Sequence, residues 1–139
     1  MTRDVRIRDY LDSLDPGNGE MTEEIRREAV RSDVPVMRRD TEALLKTVIA
    51  MIRPGRILEV GAGAGYSAVV MAKTAPDAEI TTIENWPPRI TAAGKNIDRA
   101  GLTGRIVLLE GDAGVILPGL PQEQYDLVFL DAAKGQYLN

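Results

Sequence analysis

The residues able to do chemistry in this chain are few in kind, and a dense group of them closes the sequence. In VFLDAAKGQY an apolar run ends on Asp131, with Lys134 and Tyr137 just beyond it. A buried strand that ends on a carboxylate usually delivers that carboxylate to a site. None of the 139 residues is a cysteine or a histidine. Thiolate chemistry and disulfides are therefore excluded, and the commonest general base and transition-metal ligand are missing. Any acid–base or metal chemistry falls to Asp, Glu, Lys or Tyr.

The strongest local signal is LEVGAGAGYSA, in which an apolar run meets a glycine-rich turn, Gly61, Gly63 and Gly65, and a helix follows. Glycines let a backbone turn tightly and approach a ligand closely. The spacing is G-x-G-x-G, one residue short of the dinucleotide fingerprint G-x-G-x-x-G. Glu59 stands two residues before Gly61. An anion there opposes a pyrophosphate but suits a ligand carrying an amino group and a positive sulfonium. The plainer alternative is that the glycines only make a tight turn. Glu84 ends the next apolar run, about 20 residues on, where a carboxylate can accept from ribose hydroxyls; nicotinamide and S-adenosylmethionine sites both use one. Asp112 and Ala113, in GDA, offer a carboxylate for an exocyclic amine and an N–H for a ring nitrogen of adenine. Asp112 reads equally as the N-cap of a following helix.

These residues need a frame, and the patterning supplies one. RILEV, EITTIE, RIVLLEGD and YDLVFLD read as four short strands. Helices between them begin near Tyr66, at Pro87–Pro88, and after Asp112, the second stopping at Gly101. Strands alternating with helices predict an α/β fold, a parallel sheet with helices on both faces. The nearly continuous apolar runs predict strands covered on both sides. An acid then sits at each carboxyl-terminal strand end, the edge where open α/β sheets bind ligands. Upstream, residues 4–14 and 22–32 read as two polar helices parted by DPGNG, with Thr22 as an N-cap. A third helix, TEALLKTVIAMI, is capped by Asp40 or Thr41 and carries Leu44, Leu45, Val48 and Ile52 on one stripe.

Composition sets limits on partners. Apolar residues make up 44% and charged residues 27%, as in a soluble globular domain. The net charge of −4 does not advertise nucleic-acid binding. Arg26, Arg27, Arg31, Arg38 and Arg39 cluster but alternate with acids, which reads as a solvated helix face rather than an RNA contact. No run approaches the roughly 18 apolar residues that span a membrane, and the charged first 20 residues are not a signal peptide. A cytoplasmic protein without membrane partners is expected.

Taken together and in order, VPVM, ILEVGAGAGYSA, TTIE, GDA and VFLDAAKGQY resemble the cation-dependent class I O-methyltransferases, the catechol and caffeoyl-CoA types and their small bacterial relatives. The resemblance runs from about Val34 to the last residue. It implies a Rossmann-like sheet of strand order 3-2-1-4 over residues 34–139, after N-terminal helices in 1–33. It implies S-adenosylmethionine as cofactor. Glu59 and the Gly61–Ala62 backbone would hold the methionine portion, with Gly63 and Gly65 in the same turn. Ser67 and Met37 would flank it, Glu84 would take the ribose, and Asp112–Ala113 the adenine. Asp131 would border the cofactor and bind a divalent metal, usually magnesium, and Lys134 matches a lysine proposed as general base. VPVM with DAAKGQY looks most like bacterial members that methylate 5-hydroxyuridine in tRNA. A small catechol-like or phenolic hydroxyl is the alternative acceptor.

The resemblance also implies three more strands and further metal ligands beyond Asn139. The chain accordingly looks like the N-terminal two-thirds of the family's domain, expected to bind magnesium poorly and turn over slowly by itself. DLVFLD would then be an apolar edge open to pairing, with a homodimer as one way to cover it. Two rivals stand beside this reading. One is a non-catalytic cofactor-binding fragment. The other is a nicotinamide-dependent oxidoreductase, disfavoured by Glu59, the glycine spacing and DAAKGQY.

Overall fold

A computed structural model of the chain describes residues 6, 7, 9, 10, 13 and 17–131. Lys134 and the rest of the segment after Asp131 lie outside the described residues, as does much of the helix expected over 4–14. The described elements run α1 (Glu20–Arg31), α2 (Arg39–Ile52), β1 (Arg56–Val60), α3 (Tyr66–Thr74), β2 (Glu79–Glu84), α4 (Pro87–Arg99), β3 (Ile106–Glu110), α5 (Ala113–Ile116), a 3-10 turn (Leu117–Gly119) and β4 (Leu127–Leu130). The four strands form one parallel sheet in the order β3-β2-β1-β4, the order that the family resemblance implies. Right-handed crossovers explain the layers. Moving from β1 to β3 in one direction puts α3 and α4 on one face, and reversing to β4 sends α5 to the other.

The larger core lies on the first face. Ile57, Ile80 and Ile106 of the sheet meet Val69, Val70 and Met71 of α3, Ile97 of α4, and Ile25, Leu45 and Ile49 of α1 and α2. The second face holds a small cluster of Leu58, Val60 and Ile83 under Leu109, Ala113, Ile116 and Leu120. β1 and β2 are thus covered on both sides, but Val107, Val128 and Leu130 are each more than half exposed. The prediction of strands covered on both sides fails for β3 and β4. Side chains alternate between faces, so Leu127 and Phe129 reach the larger core while Val128 and Leu130 point to the face that the short α5 leaves open.

The N-terminal helices also depart from the sequence reading. α1 starts at Glu20 behind Gly19, whose φ of 89° breaks the chain direction. Thr22 is therefore no cap. It lies inside α1, fully buried, its Oγ1 without a hydrogen-bond partner. Neither Asp40 nor Thr41 caps α2, which begins at Arg39; Asp40 instead accepts from its neighbour Thr41 N at 2.9 Å. The buried stripe of α2 is Glu42, Leu45 and Ile49, and Leu44 and Ile52 face outward. Among the described residues, no helix is long and apolar enough to cross a membrane.

Candidate functional site

The carboxyl-terminal edge of the sheet opens into a cleft of about 260 Å³. Three segments wall it: Pro35–Met37 ahead of α2; the turn from Gly61 to Ala64 with Tyr66 and Ser67 of α3; and Glu84 at the end of β2, Asn85 after it and Arg89 of α4, with Asp131 also lining it. Seven of the residues singled out in the sequence meet here: Met37, Gly61, Ala62, Gly63, Ser67, Glu84 and Asp131. A smaller adjoining cleft is lined by Val60, Gly61, Ile83, Glu84, Asn85, Gly111 and Ala113.

Glu59 lies below the turn, fully buried. Its register partner on β2 is Thr82, and the two share a sheet face, so Thr82 Oγ1 donates to Glu59 Oε1 at 2.6 Å. Ser67 Oγ donates to the other oxygen. Burial pushes the Glu59 carboxyl up to about 7 against the pull of both hydroxyls, and the charges of Asp131 and Glu84 add to the rise. Glu59 therefore reaches the cleft through Ser67 and through its field. Burial likewise raises the Asp131 carboxyl, opposed by Arg89.

The turn's own N–H groups are largely engaged. Gly61 N and Ala62 N both donate to Ile83 O, at 2.8 and 3.1 Å, so they shape the cleft without being free donors. Glu84, nearly buried, accepts from Gly63 N at 2.9 Å on one oxygen, and from Asn85 N and Trp86 N at 3.0 and 3.1 Å on the other. Gly65 faces away from the cleft. It is left-handed (φ 84°), and a Cβ there would lie 3.2 Å from Ala93 Cα and 3.3 Å from Ala93 O of α4. Asp112 is exposed and lines neither cleft; its Oδ1 accepts from Gly114 N at 2.6 Å, which is the N-cap role. Ala113 lines the smaller cleft.

Asn96 adds a support from α4: buried, it donates from Nδ2 to Ala64 O at 2.7 Å. Together with the Gly65–Ala93 contact, this seats the glycine turn on α4. Gly65→Ala is expected to remove roughly 2–4 kcal/mol, combining a left-handed L-residue with a tight contact on the Ala93 backbone. Urea unfolding would read the loss; a change below about 0.5 kcal/mol would contradict the tight seat.

Sequence reasoning missed Pro35, Val36, Ala64, Tyr66, Asn85 and Arg89 as individual cleft residues. Arg89 had one available signal: Pro87–Pro88 opens α4, so the next side chain starts a helix at the ligand edge. The arginine cluster is also more built than a solvated face. Arg27 and Arg38 are exposed pairs with Glu20 and Asp40. Arg39 is half-buried between Glu23 and Glu42, and Arg26 donates to Met37 O at 2.8 Å.

The donor set offers little to magnesium. Asp131 provides a hard carboxylate, but the oxygens of Glu59 and Glu84 already accept from hydroxyls and backbone. No group of three or more acidic residues able to hold a metal occurs among the described residues. Mg²⁺ wants six oxygens in near-octahedral array, so these residues alone do not fit it. The cleft does suit an organic ligand carrying positive charge: Glu84 and Asp131 line it and Glu59 lies buried beneath its turn, with Arg89 as the opposing charge among its described lining residues.

Comparison with known proteins places the chain by family and fold. The family model described as O-methyltransferase matches residues 12–139. A catechol O-methyltransferase of Niastella koreensis is 39% identical over 97 residues, 67% of this chain and 44% of that protein. Catechol O-methyltransferase of Sus scrofa is 39% identical over 100 residues, 68% of this chain and 54% of that protein. The chain thus spans about half the length of these relatives. Among solved structures, the SAH-bound Podospora anserina methyltransferase PaMTH1 superposes with a TM-score of 0.84 at 28% identity, covering 99% of this chain and 63% of that one.

Proposed function

Because the chain belongs to the O-methyltransferase family, we propose that its cleft binds S-adenosylmethionine and serves methyl transfer to an acceptor hydroxyl. One observation supports the reading: a buried carboxylate, Glu59, lies beneath the glycine turn of a cleft that Glu84 and Asp131 line. That field favours a ligand with an ammonium and a sulfonium, and opposes a pyrophosphate. Bound there, S-adenosylmethionine supplies an electrophilic methyl group. In the transfer the acceptor oxygen forms a bond to the methyl carbon as the carbon–sulfur bond breaks. The sulfonium leaves as the neutral thioether, and the hydroxyl proton is released.

The chain's residues act by placement, which is the main demand of an in-line displacement. Ser67, oriented by Glu59, meets the polar end of the cofactor, Met37 borders it, and Glu84 takes a ribose hydroxyl. The adenine lies in the smaller cleft beside Ala113. Asp131 stands where cofactor and acceptor meet. Magnesium, implied by the resemblance, would find one ligand in Asp131 among the described residues. Lys134 lies outside the described residues.

A small vicinal-dihydroxy aromatic is the proposed acceptor, by likeness to relatives named catechol O-methyltransferase and because a net charge of −4 does not attract a polyanion. The rival acceptor is 5-hydroxyuridine in tRNA. Calorimetric titration with S-adenosylhomocysteine (SAH) and with NADH tests the cofactor: SAH alone should bind, and binding of NADH alone would overturn the reading. Transfer of a labelled methyl group to a catechol, against 5-hydroxyuridine tRNA, tests the acceptor. Label on the tRNA only would reverse that choice.

A further inference from the structure

We propose that Arg26, on α1, is a positioning residue of the cofactor cleft, and that it makes α1 part of the cofactor site. The inference rests on the cofactor reading above and extends it to a helix that lines no part of the cleft. The guanidinium of Arg26 is half-buried and does two things at once. Nη1 donates to Met37 O at 2.8 Å, and Cζ lies 5.3 Å from the centre of the Tyr66 ring. Met37 and Tyr66 both line the cleft, from different segments. One side chain therefore ties two walls together.

Each wall needs the tie. Pro35–Met37 lies outside any helix or strand, and Pro35 has no N–H to anchor it. Tyr66 opens α3 directly behind the left-handed Gly65. Its hydroxyl donates to the fully buried Glu42, and Asn18 Nδ2 reaches the same oxygen at 3.3 Å. Arg39 holds Glu42 at 3.2 Å and pairs with Glu23 of α1. The ring is thus fixed at its hydroxyl by α2 and on its face by α1. A planar cation over an aromatic face, also donating to a carbonyl, is a geometry that lysine's point charge reproduces only in part.

A merely structural role for α1 makes a different forecast, and a second contact separates the two. Arg99 of α4 and Glu28 of α1 pair at 2.6 Å, docking α1, and neither residue lines the cleft. Arg26→Ala is expected to weaken SAH binding about tenfold or more, which is about 1.4 kcal/mol. Glu28→Gln should lower the melting temperature yet leave SAH affinity within about twofold. Arg26→Lys keeps the charge and is expected to disturb folding less than the alanine variant, and should weaken SAH about threefold. The inference is overturned if Arg26→Ala, or Arg26→Lys where the alanine variant does not fold, binds SAH as the unsubstituted chain does. It is also overturned if Glu28→Gln weakens binding as much as the Arg26 variants at equal loss of melting temperature. If the unsubstituted chain does not bind SAH, the cofactor reading falls first and this role with it.

Discussion

Replacing Glu84 by alanine is expected to raise the dissociation constant for SAH at least about 100-fold, or about 2.7 kcal/mol, and to lower stability by roughly 1–3 kcal/mol. The reason lies in what its carboxylate holds. Two oxygens provide about four lone-pair sites, and the N–H groups of Gly63, Asn85 and Trp86 take three. One site remains for a ribose hydroxyl. Truncation removes that acceptor and also releases Gly63 from the turn and Trp86 at the N-terminal cap of α4. Bonds to an ionised group contribute about 1.5–3 kcal/mol each, but water reaches this edge and offsets part of the loss. Glu84→Gln keeps one acceptor oxygen and turns an NH₂ toward backbone donors, so it should fall between the two. Calorimetry and urea unfolding on the same samples check both effects. An alanine variant that binds SAH within about threefold of the original would show that Glu84 holds no cofactor group.

The parallel sheet was legible because apolar runs and glycine punctuation are local signals. RILEV, the turn and Glu84 fall where the pattern puts them. The supports of the site were not legible, because they are tertiary. Glu42 looks like a polar break in the α2 stripe, yet it is fully buried, since Tyr66 and Arg39 reach it from residues 24 and 3 positions away. Leu44, by contrast, reads as core and faces outward. A helix of period 3.6 allows both stripes, and only the packing of α2 on α3 decides between them. The caps failed for a related reason: Gly19 and Arg38 start α1 and α2 without any side-chain cap, so a search for Ser, Thr or Asp finds the wrong residue. Asp112 is the converse case, where the cap reading and the adenine reading were both open and the structure shows the cap.

The second large effect is a pH dependence in a chain that has no histidine. Burial raises the Glu59 carboxyl from 4.5 to about 7. Between these values the folded chain holds a proton that the unfolded chain has lost. Stability therefore falls as pH rises through this window, by about 3 kcal/mol at about 1.4 kcal/mol per unit, and levels off above about 7. Glu23 and Glu28 act in the opposite sense: Arg39 and Arg99 hold them below the ordinary range. Their stabilisation is complete above about 4.5 and adds no slope here. Asp131, also raised by burial, slopes the same way as Glu59. The ammonium group that SAH shares with S-adenosylmethionine reverses the preference, since a positive charge nearby favours the ionised carboxylate and drives the proton off. SAH affinity should therefore climb between about pH 5.5 and 7.5, by up to tenfold per unit, and flatten beyond. Glu59→Gln removes the titration while its amide can still meet Ser67 and Thr82. Its affinity and stability profiles should both be flatter than those of the original over that range, with the residual slope belonging to Asp131. An unchanged affinity profile in the glutamine variant would move the proton switch away from Glu59 and leave Asp131 as its source.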